Sequence, residues 1–465
     1  MSHFVVQPVF KKKDSELART KRTEGNEAFQ KKRYKQALNL YSMAACKAPE
    51  GDETVAYSVA NRSACHYYLG DLRHCLQDIE LALSLDYPAQ LSYKLHERKI
   101  KALLYLGQRD GANSALQAAK KNLEAHKGKL DEKKATQAVA VLKTLYAAIE
   151  SGKKPEDETL TLEEPDMAPE VPKLSSGPHK KLRDLSSLVR VESSEEVGRH
   201  VLAAEAISSG DTLAVEDPIG AVLYAERFGS NCDNCFGKLR APVACKSCAG
   251  VAYCNLKCRE EALGWHKYEC QHMDLMQGLG ASALARLAYR MVAVRSLKFF
   301  NAIKHNLVVD EASTEQGGAT PSYSIPGVKK SDYASYLSTF NLVGLDSGRW
   351  VEDTFHRALM AVCLLKILKA AKWFPHNNED TDAFTNDELF VGSLILRHLN
   401  VLQFNAHEIY EVLRGDRGNM KPNKNHLIGV GVYPQASYFN HSCHPRTTRY
   451  NIGNALAVLL KFPQS

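Results

Sequence analysis

Eight residues between Cys232 and Cys270 restrict this chain more than any other stretch. Cys232 and Cys235 form one C-x2-C pair, and Cys245 and Cys248 form a second. Cys254 and Cys258 follow, four apart, and then His266 and Cys270, also four apart. Eight soft donors so close together suffice for two closed tetrahedral zinc sites built from thiolate and imidazole. The order of the pairs suggests interleaving. Cys232 and Cys235 would join Cys254 and Cys258 at one Zn2+; Cys245 and Cys248 would join His266 and Cys270 at the other. The last two pairs each span one helical turn, so each is expected to face its metal from a helix. Eight ligands leave no open coordination position, which argues against a catalytic zinc. The competing reading is a disulfide framework in a secreted domain. The N-terminus does not favour it: a short apolar patch, Phe4 to Phe10, precedes Lys11 to Lys13, the wrong order for a secretory signal.

This ligand string resembles the MYND zinc finger in all eight positions. In large chains such fingers commonly sit inside a SET methyltransferase domain, so the flanking sequence is read for that. At 465 residues the chain exceeds one core, and two to four domains are expected. Lys plus Arg number 60 and Asp plus Glu 53, a net charge of +7 that is too mild to imply nucleic acid. No dense basic helix lies beside the finger, so DNA binding has little support. No apolar run of about 18 residues exists, so no membrane span is expected. The five cysteines outside the finger (Cys46, Cys65, Cys75, Cys363 and Cys443) are scattered, as in a protein of the reducing cytoplasm and nucleus.

The first 150 residues carry a helical repeat. Gly25, Phe29, Tyr34, Ala37, Tyr41, Ala44 and Pro49 fall at tetratricopeptide spacing. A second copy runs through Asn61, Tyr67, Gly70, Asp71, Ala82 and Pro88, and a third through Tyr105, Gly107, Ala112 and Ala119. Ala82 follows Ala44 by 38 residues, a little more than the usual period of about 34, consistent with a small insertion at Glu50 to Thr54. Leu130 to Ile149 would close the stack, giving a domain over 15–150. A plain helical bundle is the alternative. Arg22, Asn26, Asn61, Lys94 and Arg98 match the carboxylate clamp of tetratricopeptide domains that hold the acidic C-terminal tail of heat-shock chaperones. The resemblance implies that this domain binds a Glu-Glu-Val-Asp tail, and the chemistry fits: three cations and two amides suit a terminal carboxylate beside an Asp. Ordinary solvated residues on basic helices are the competing account.

Residues 151–182 hold Pro155, Pro165, Pro169, Pro172 and Pro178 among acids, and are expected to be a flexible tether. From Leu185 the pattern turns to short apolar runs between tight turns: Leu188 to Val191, Val197 to Ala203, and Leu213 to Val215 after Gly210-Asp211. This resembles the first half of a SET domain, over 183–231. The resemblance implies that Val197, Gly198, Arg199 and His200 contact S-adenosyl-L-methionine, Gly198 permitting close backbone approach. After the finger (232–270), 271–395 reads as a helical insert. Its expected helices are Leu275–Phe300, Glu352–Trp373 with Phe355, Leu359, Val362, Leu365 and Leu368 on one face, and Asp387–Leu402. Gln316 to Gly327 is expected to be a loop.

The second half, over 396–465, contains Leu402 to Ile409, which resembles the family's strand bearing a cofactor-binding Asn, here Asn405. It ends in Asn440-His441-Ser442-Cys443-His444-Pro445, the strongest SET signature in the chain. The resemblance implies that Asn440 and His441 meet the amino-acid end of the cofactor. The chain thus resembles the SET and MYND domain-containing family, in the branch that carries helical repeats ahead of its SET half. The expected fold is multidomain α+β, with an N-terminal α-helical repeat stack and a β-rich SET domain split by a MYND finger and a helical insert.

Two departures stand out. Arg446 occupies the place where the family motif has Asn. The catalytic Tyr-Gly and the cysteine cluster that the family carries downstream do not appear before Ser465, so the second half reads as truncated and Cys443 as a ligand without partners. The expectation from sequence is a protein-lysine methyltransferase with weak or no activity in this chain. The alternative is a non-catalytic adaptor whose repeats dock a chaperone tail and whose finger binds proline-rich peptides.

Overall fold

Asp14, Asp52, Asp71 and Asp131 each accept a backbone N–H from a following residue and so start four of the helices of the N-terminal region. A computed structural model describes residues 6–152, 154, 170–307, 330–344, 348–375, 383–413 and 424–461. Pro155, Pro165 and Pro169 of the expected tether, and the loop expected at 316–327, lie outside the described residues.

Seven helices follow in order: α1 (Ser15–Gln30), α2 (Tyr34–Lys47), α3 (Glu53–Tyr68), α4 (Leu72–Ser84), α5 (Tyr93–Tyr105), α6 (Arg109–His126) and α7 (Glu132–Ser151). Each packs on the next. The small residues at repeat positions act as spacers. Ala37, Ala44, Ala82, Ala112 and Ala119 are wholly buried. A Cβ on Gly25 would lie 2.7 Å from Tyr41 Cε1, so only glycine lets α1 and α2 close. Tyr34 and Tyr68 stack at 4.9 Å between successive helix pairs, with Phe29 edge-on to Tyr34.

The remaining strands are β1 (Val189–Ser194), β2 (Gly198–Ala203), β3 (Thr212–Glu216), β4 (Gly220–Leu223), β5 (Val243–Ala244), β6 (Ala252–Tyr253), β7 (Ala406–Leu413), β8 (Lys424–Val432), β9 (Thr447–Ile452) and β10 (Ala455–Leu460). β1 and β2 form a hairpin. The other pairings join the two ends of the sequence: one sheet runs β3-β10-β9 and another β4-β8-β7, all antiparallel. The early strands β3 and β4 therefore complete sheets whose other members come more than 180 residues later.

Between them lie α8 (Leu256–Glu269), α9 (Met273–Gly278), α10 (Ala283–Ala293), α11 (Leu297–Ile303), α12 (Lys330–Phe340), α13 (Val351–Ala370) and α14 (Asn386–Asn405). Their core, with Leu287, Met291, Leu365, Leu368 and Ile395 buried, extends onto Val222 of β4 and Val430 of β8. The chain divides by packing into two units: 11–168 with 239–259, and 1–10 with 169–238 and 260–465.

Three expectations need correction. The tether ends earlier than residue 182: Ser175 N donates to Thr212 O, Pro178 bridges Ser186, and Leu185 is fully buried, so this segment packs along β3. The buried residues of α13 are Ala361, Leu364, Leu365, Ile367 and Leu368; Leu365 and Leu368 are among those expected, but Phe355 is 59% exposed. Helix α12 was not foreseen, although Tyr333, Tyr336, Leu337 and Phe340 are buried at helical spacing.

Candidate functional site

The finger brings its eight donors together in the two interleaved groups that the spacing suggested. Cys232, Cys235, Cys254 and Cys258 form one group, and Cys245, Cys248, His266 and Cys270 the other; in each, the four donor atoms lie within 4.8 Å of one another. The edges of a zinc–thiolate tetrahedron are about 3.8 Å, and Cys254 Sγ and Cys258 Sγ are 3.5 Å apart. Donor type, number and spacing therefore fit two structural Zn2+ ions. N–H groups of Ser247 and Asn255 point at the sulfurs of Cys245 and Cys254, as expected of thiolate ligands. The helical expectation holds for only half of each late pair. Cys258 and His266 lie in α8, whereas Cys254 precedes the helix and Cys270 follows it. A two-residue hairpin, β5–β6, carries the loop of Cys245 and Cys248.

A buried cation fixes the end of α8. Arg290 of α10 donates to both carboxylate oxygens of Glu269, at 2.9 and 2.5 Å, and to Ala221 O of β4. Its guanidinium lies 3.6 Å from the Trp265 ring centroid, and Asp233 approaches to 3.5 Å. Nothing local in the sequence announces this arrangement, because its members come from four separate segments.

The second cluster lies where residues 197–200 meet residues 438–441. Gly198 has φ +64°, a conformation that side chains with a Cβ rarely adopt, and a Cβ there would meet nothing within 4 Å. The backbone therefore borders open space beside the exposed Val197. Asn440 Nδ2 donates to Val197 O at 3.1 Å. Arg199 Nη1 donates to Tyr438 OH at 3.1 Å and Nη2 to Asn341 O at 3.2 Å. His200 Nδ1 lies 3.0 Å from Gly198 O, so that nitrogen carries the proton. His441 is exposed, with Nε2 3.6 Å from Cys443 Sγ.

Asn405 is not on a strand. It is the last residue of α14, and β7 begins at Ala406. Its Nδ2 donates to Val343 O and Val401 O, which places it against the same 341–343 segment that Arg199 contacts. The backbone groups that end a helix are satisfied here by a side chain, which is why the helix runs three residues beyond the expected boundary.

One buried and one half-buried polar group, both missed by sequence reasoning, hold the turn before Asn440. Glu216, at the end of β3, accepts N–H bonds from Gln435 at 3.0 Å and Ala436 at 2.7 Å. Burial pushes its carboxyl up to about 8 against those two bonds. His407 of β7 accepts from Arg449 at Nδ1 and donates from Nε2 to Ser437 Oγ, 3.2 Å away. Burial, with Arg449 beside it, lowers this imidazole to about 4, so it stays neutral.

In the repeats, Asn26 Oδ1 accepts from both Asn61 Nδ2 (3.1 Å) and Tyr41 OH (2.8 Å). Arg98 is tied to Ser63 Oγ and Ala60 O of α3. Arg22 lies over the Tyr57 ring, and Lys94 is exposed. The structure thus joins Asn26, Asn61 and Arg98 to the α2–α3 region through side-chain contacts.

The MYND finger family model matches residues 232–270, all eight donors included. Protein-lysine N-methyltransferase SMYD4 of Gallus gallus is 27% identical over 512 residues, covering 97% of this chain and 67% of that protein. SMYD4 of Mus musculus is 26% identical, over 96% of this chain and 62% of its own length. Over nearly its whole length the chain is thus similar to proteins of the SET and MYND domain-containing family. The chain spans only about two thirds of the length of those relatives. A shorter match, 32% identical over 110 residues and covering 23% of this chain and 28% of that protein, is to the Hsp70/Hsp90 co-chaperone CNS1 of Saccharomyces cerevisiae. Among the described residues, no helix is long and apolar enough to cross a membrane.

Proposed function

We propose that this protein is an S-adenosyl-L-methionine-dependent protein-lysine methyltransferase whose cofactor lies where 197–200 meets 438–441. The observation that carries the reading is the hydrogen bond from Asn440 to Val197 O, which sets residues 197–200 beside residues 438–441. The residues fit the group: a left-handed glycine beside open space leaves backbone free to approach, and exposed amide and imidazole groups border it. S-adenosyl-L-methionine would supply an electrophilic methyl group to a neutral lysine amine. Val197 to His200 would line the cofactor with backbone, while Asn440 and His441 would hold its polar end. Asn405 would contribute its Oδ1, since its Nδ2 is spent on carbonyls. Glu216 and His407 would act indirectly, by fixing the backbone from Tyr433 to Asn440. Alignment of this kind is worth up to roughly 7–11 kcal/mol in favourable cases. Calorimetric titration with S-adenosyl-L-methionine tests the reading: saturable binding that Asn440→Ala abolishes supports it, and no heat from the zinc-loaded chain refutes it.

A second role is compatible with the first. The repeats would take the acidic C-terminal tail of a heat-shock chaperone through Arg22, Asn26, Asn61, Lys94 and Arg98. The Asn61–Asn26 bond and the Arg98 contacts with α3 favour this, since they hold polar side chains of three helices in one cluster. The match to a co-chaperone agrees in kind. If S-adenosyl-L-methionine does not bind while the tail does, the adaptor reading replaces the enzyme.

A further inference from the structure

The finger segment 239–259 has little structure of its own. It contains a hairpin with two residues in each strand, far below what holds together alone in water. It is instead built into the helical repeats. Arg62 of α3 is completely buried. Two of its nitrogens bind the equally buried Asp78 carboxylate, at 2.8 and 2.7 Å, and Nη1 donates to Pro242 O at 3.1 Å. Gln77 of α4 donates to Cys254 O at 2.6 Å, the carbonyl of a metal-ligand residue. Val243 is 3% exposed and belongs to the same apolar cluster as Val59, Ile79 and Leu81 of the repeats, with Leu256 packed against it. Lys246 pairs with Glu50 at the rim, and Ala249 N donates to Lys11 O.

We infer that the second helix pair, α3–α4, and the 239–259 segment form one metal-dependent folding unit, so that metal occupancy of the finger and stability of these repeat helices are thermodynamically linked. Two sources of order meet in this segment: the metals that gather its cysteines, and the helices that bury its hairpin. When the metals leave, the segment loses one of its two constraints. Its release would uncover Val243, leave Arg62 Nη1 with only the longer 3.3 Å contact to Ser42 Oγ, and take from Gln77 the carbonyls of Ala241 and Cys254. A fully buried guanidinium is costly to leave short of acceptors, so the loss falls on α3 and α4. Linkage is reciprocal: loosening the helices must weaken metal retention by the same factor. Helices α6 and α7 share with α5 a separate apolar cluster, built from Leu103, Leu116, Leu123, Leu142 and Leu145, which Leu76 of α4 touches at its edge.

Hydrogen–deuterium exchange on the full, zinc-loaded chain tests the inference, before and after removal of metal with a chelator. Protection of 53–84 is expected to fall at least tenfold, while 109–151 keeps its own. Gln77→Ala, which touches no metal-binding atom, supplies the reciprocal arm. Zinc affinity, measured by equilibrium competition with a chromophoric chelator, should be several-fold weaker than in the wild type, with helix content by circular dichroism unchanged. Unchanged protection of 53–84 in the metal-free chain would overturn the inference. Equal zinc affinities for Gln77→Ala and wild type would do the same, as would a uniform loss of protection extending through 151.

Discussion

Asn440 Nδ2 hydrogen-bonds the Val197 carbonyl across 243 residues of sequence. The amide is exposed, so its removal should leave the fold intact and change what the neighbouring backbone can bind. Asn440→Ala is expected to weaken S-adenosyl-L-methionine binding at least tenfold, about 1.4 kcal/mol, with the thermal midpoint unchanged. Gly198→Val should act by a different route, since a β-branched residue at φ +64° is strained and would crowd the open side. Isothermal calorimetry on both variants decides, and wild-type affinity in both would remove the cofactor from this position.

The finger should hold two metal ions per chain. Cobalt substitution is expected to give intense thiolate charge-transfer bands and a stoichiometry of two by elemental analysis. Replacing Cys258 with Ser should remove one site and leave the group of Cys245, Cys248, His266 and Cys270 loaded. A single ion in the wild-type chain would contradict the paired arrangement.

Arg290 ties the end of α8 to α10 and β4, and it is 4% exposed. Arg290→Ala would leave Glu269 buried without its partner, a loss of roughly 3–5 kcal/mol. Arg290→Lys should recover little, because one ammonium cannot reproduce both the two-pronged carboxylate contact and the stacking on Trp265. Urea denaturation followed by Trp fluorescence measures both variants; a lysine variant as stable as wild type would show that charge alone suffices.

Glu216 gives stability a dependence on pH. Its carboxyl is raised in the folded chain to about 8, from an ordinary value of 4.5. The unfolded chain therefore loses this proton first as pH rises. Stability associated with Glu216 is full below about 4.5, falls through the interval, and is lost by about 8. Glu216→Gln cannot ionise, so the difference in unfolding midpoint between wild type and variant should shift in the variant's favour from pH 5 to pH 8.5. A difference constant over that range would mean that the two N–H bonds from Gln435 and Ala436 keep the carboxylate ionised throughout.

For the repeats, Lys94→Ala is the cleanest probe of tail binding, because Lys94 is exposed while Arg98 also braces α3. Fluorescence anisotropy with a Glu-Glu-Val-Asp peptide should show at least a fivefold weaker complex. An unchanged Kd would exclude Lys94 from any clamp.

The zinc ligands were legible in the sequence because metal coordination is written in short spacings: two or three residues between paired donors leave few ways to close a tetrahedron. The repeat spacing was legible for a similar reason, as Ala37, Tyr41 and Ala44 recur on one helical face. Asn405 was recognised as a residue but misplaced on a strand, since the helix-to-strand change at Ala406 depends on partners at Val343 and Val401. The segment after Leu174 looked like a tether because its apolar content is low; β3 supplies the hydrogen bonds that order it.

By itself the sequence determined the finger, the helical stack and the two candidate cofactor segments, each of them a pattern confined to a few tens of residues. Only the tertiary structure decided that β3 and β4 complete sheets with strands from the other end of the chain. It alone buried Glu216 beneath the turn leading to Asn440, and Arg62 beneath the finger hairpin. The physical reason is that the environment of a buried charge is set by groups far away in sequence, and local periodicity carries no record of them.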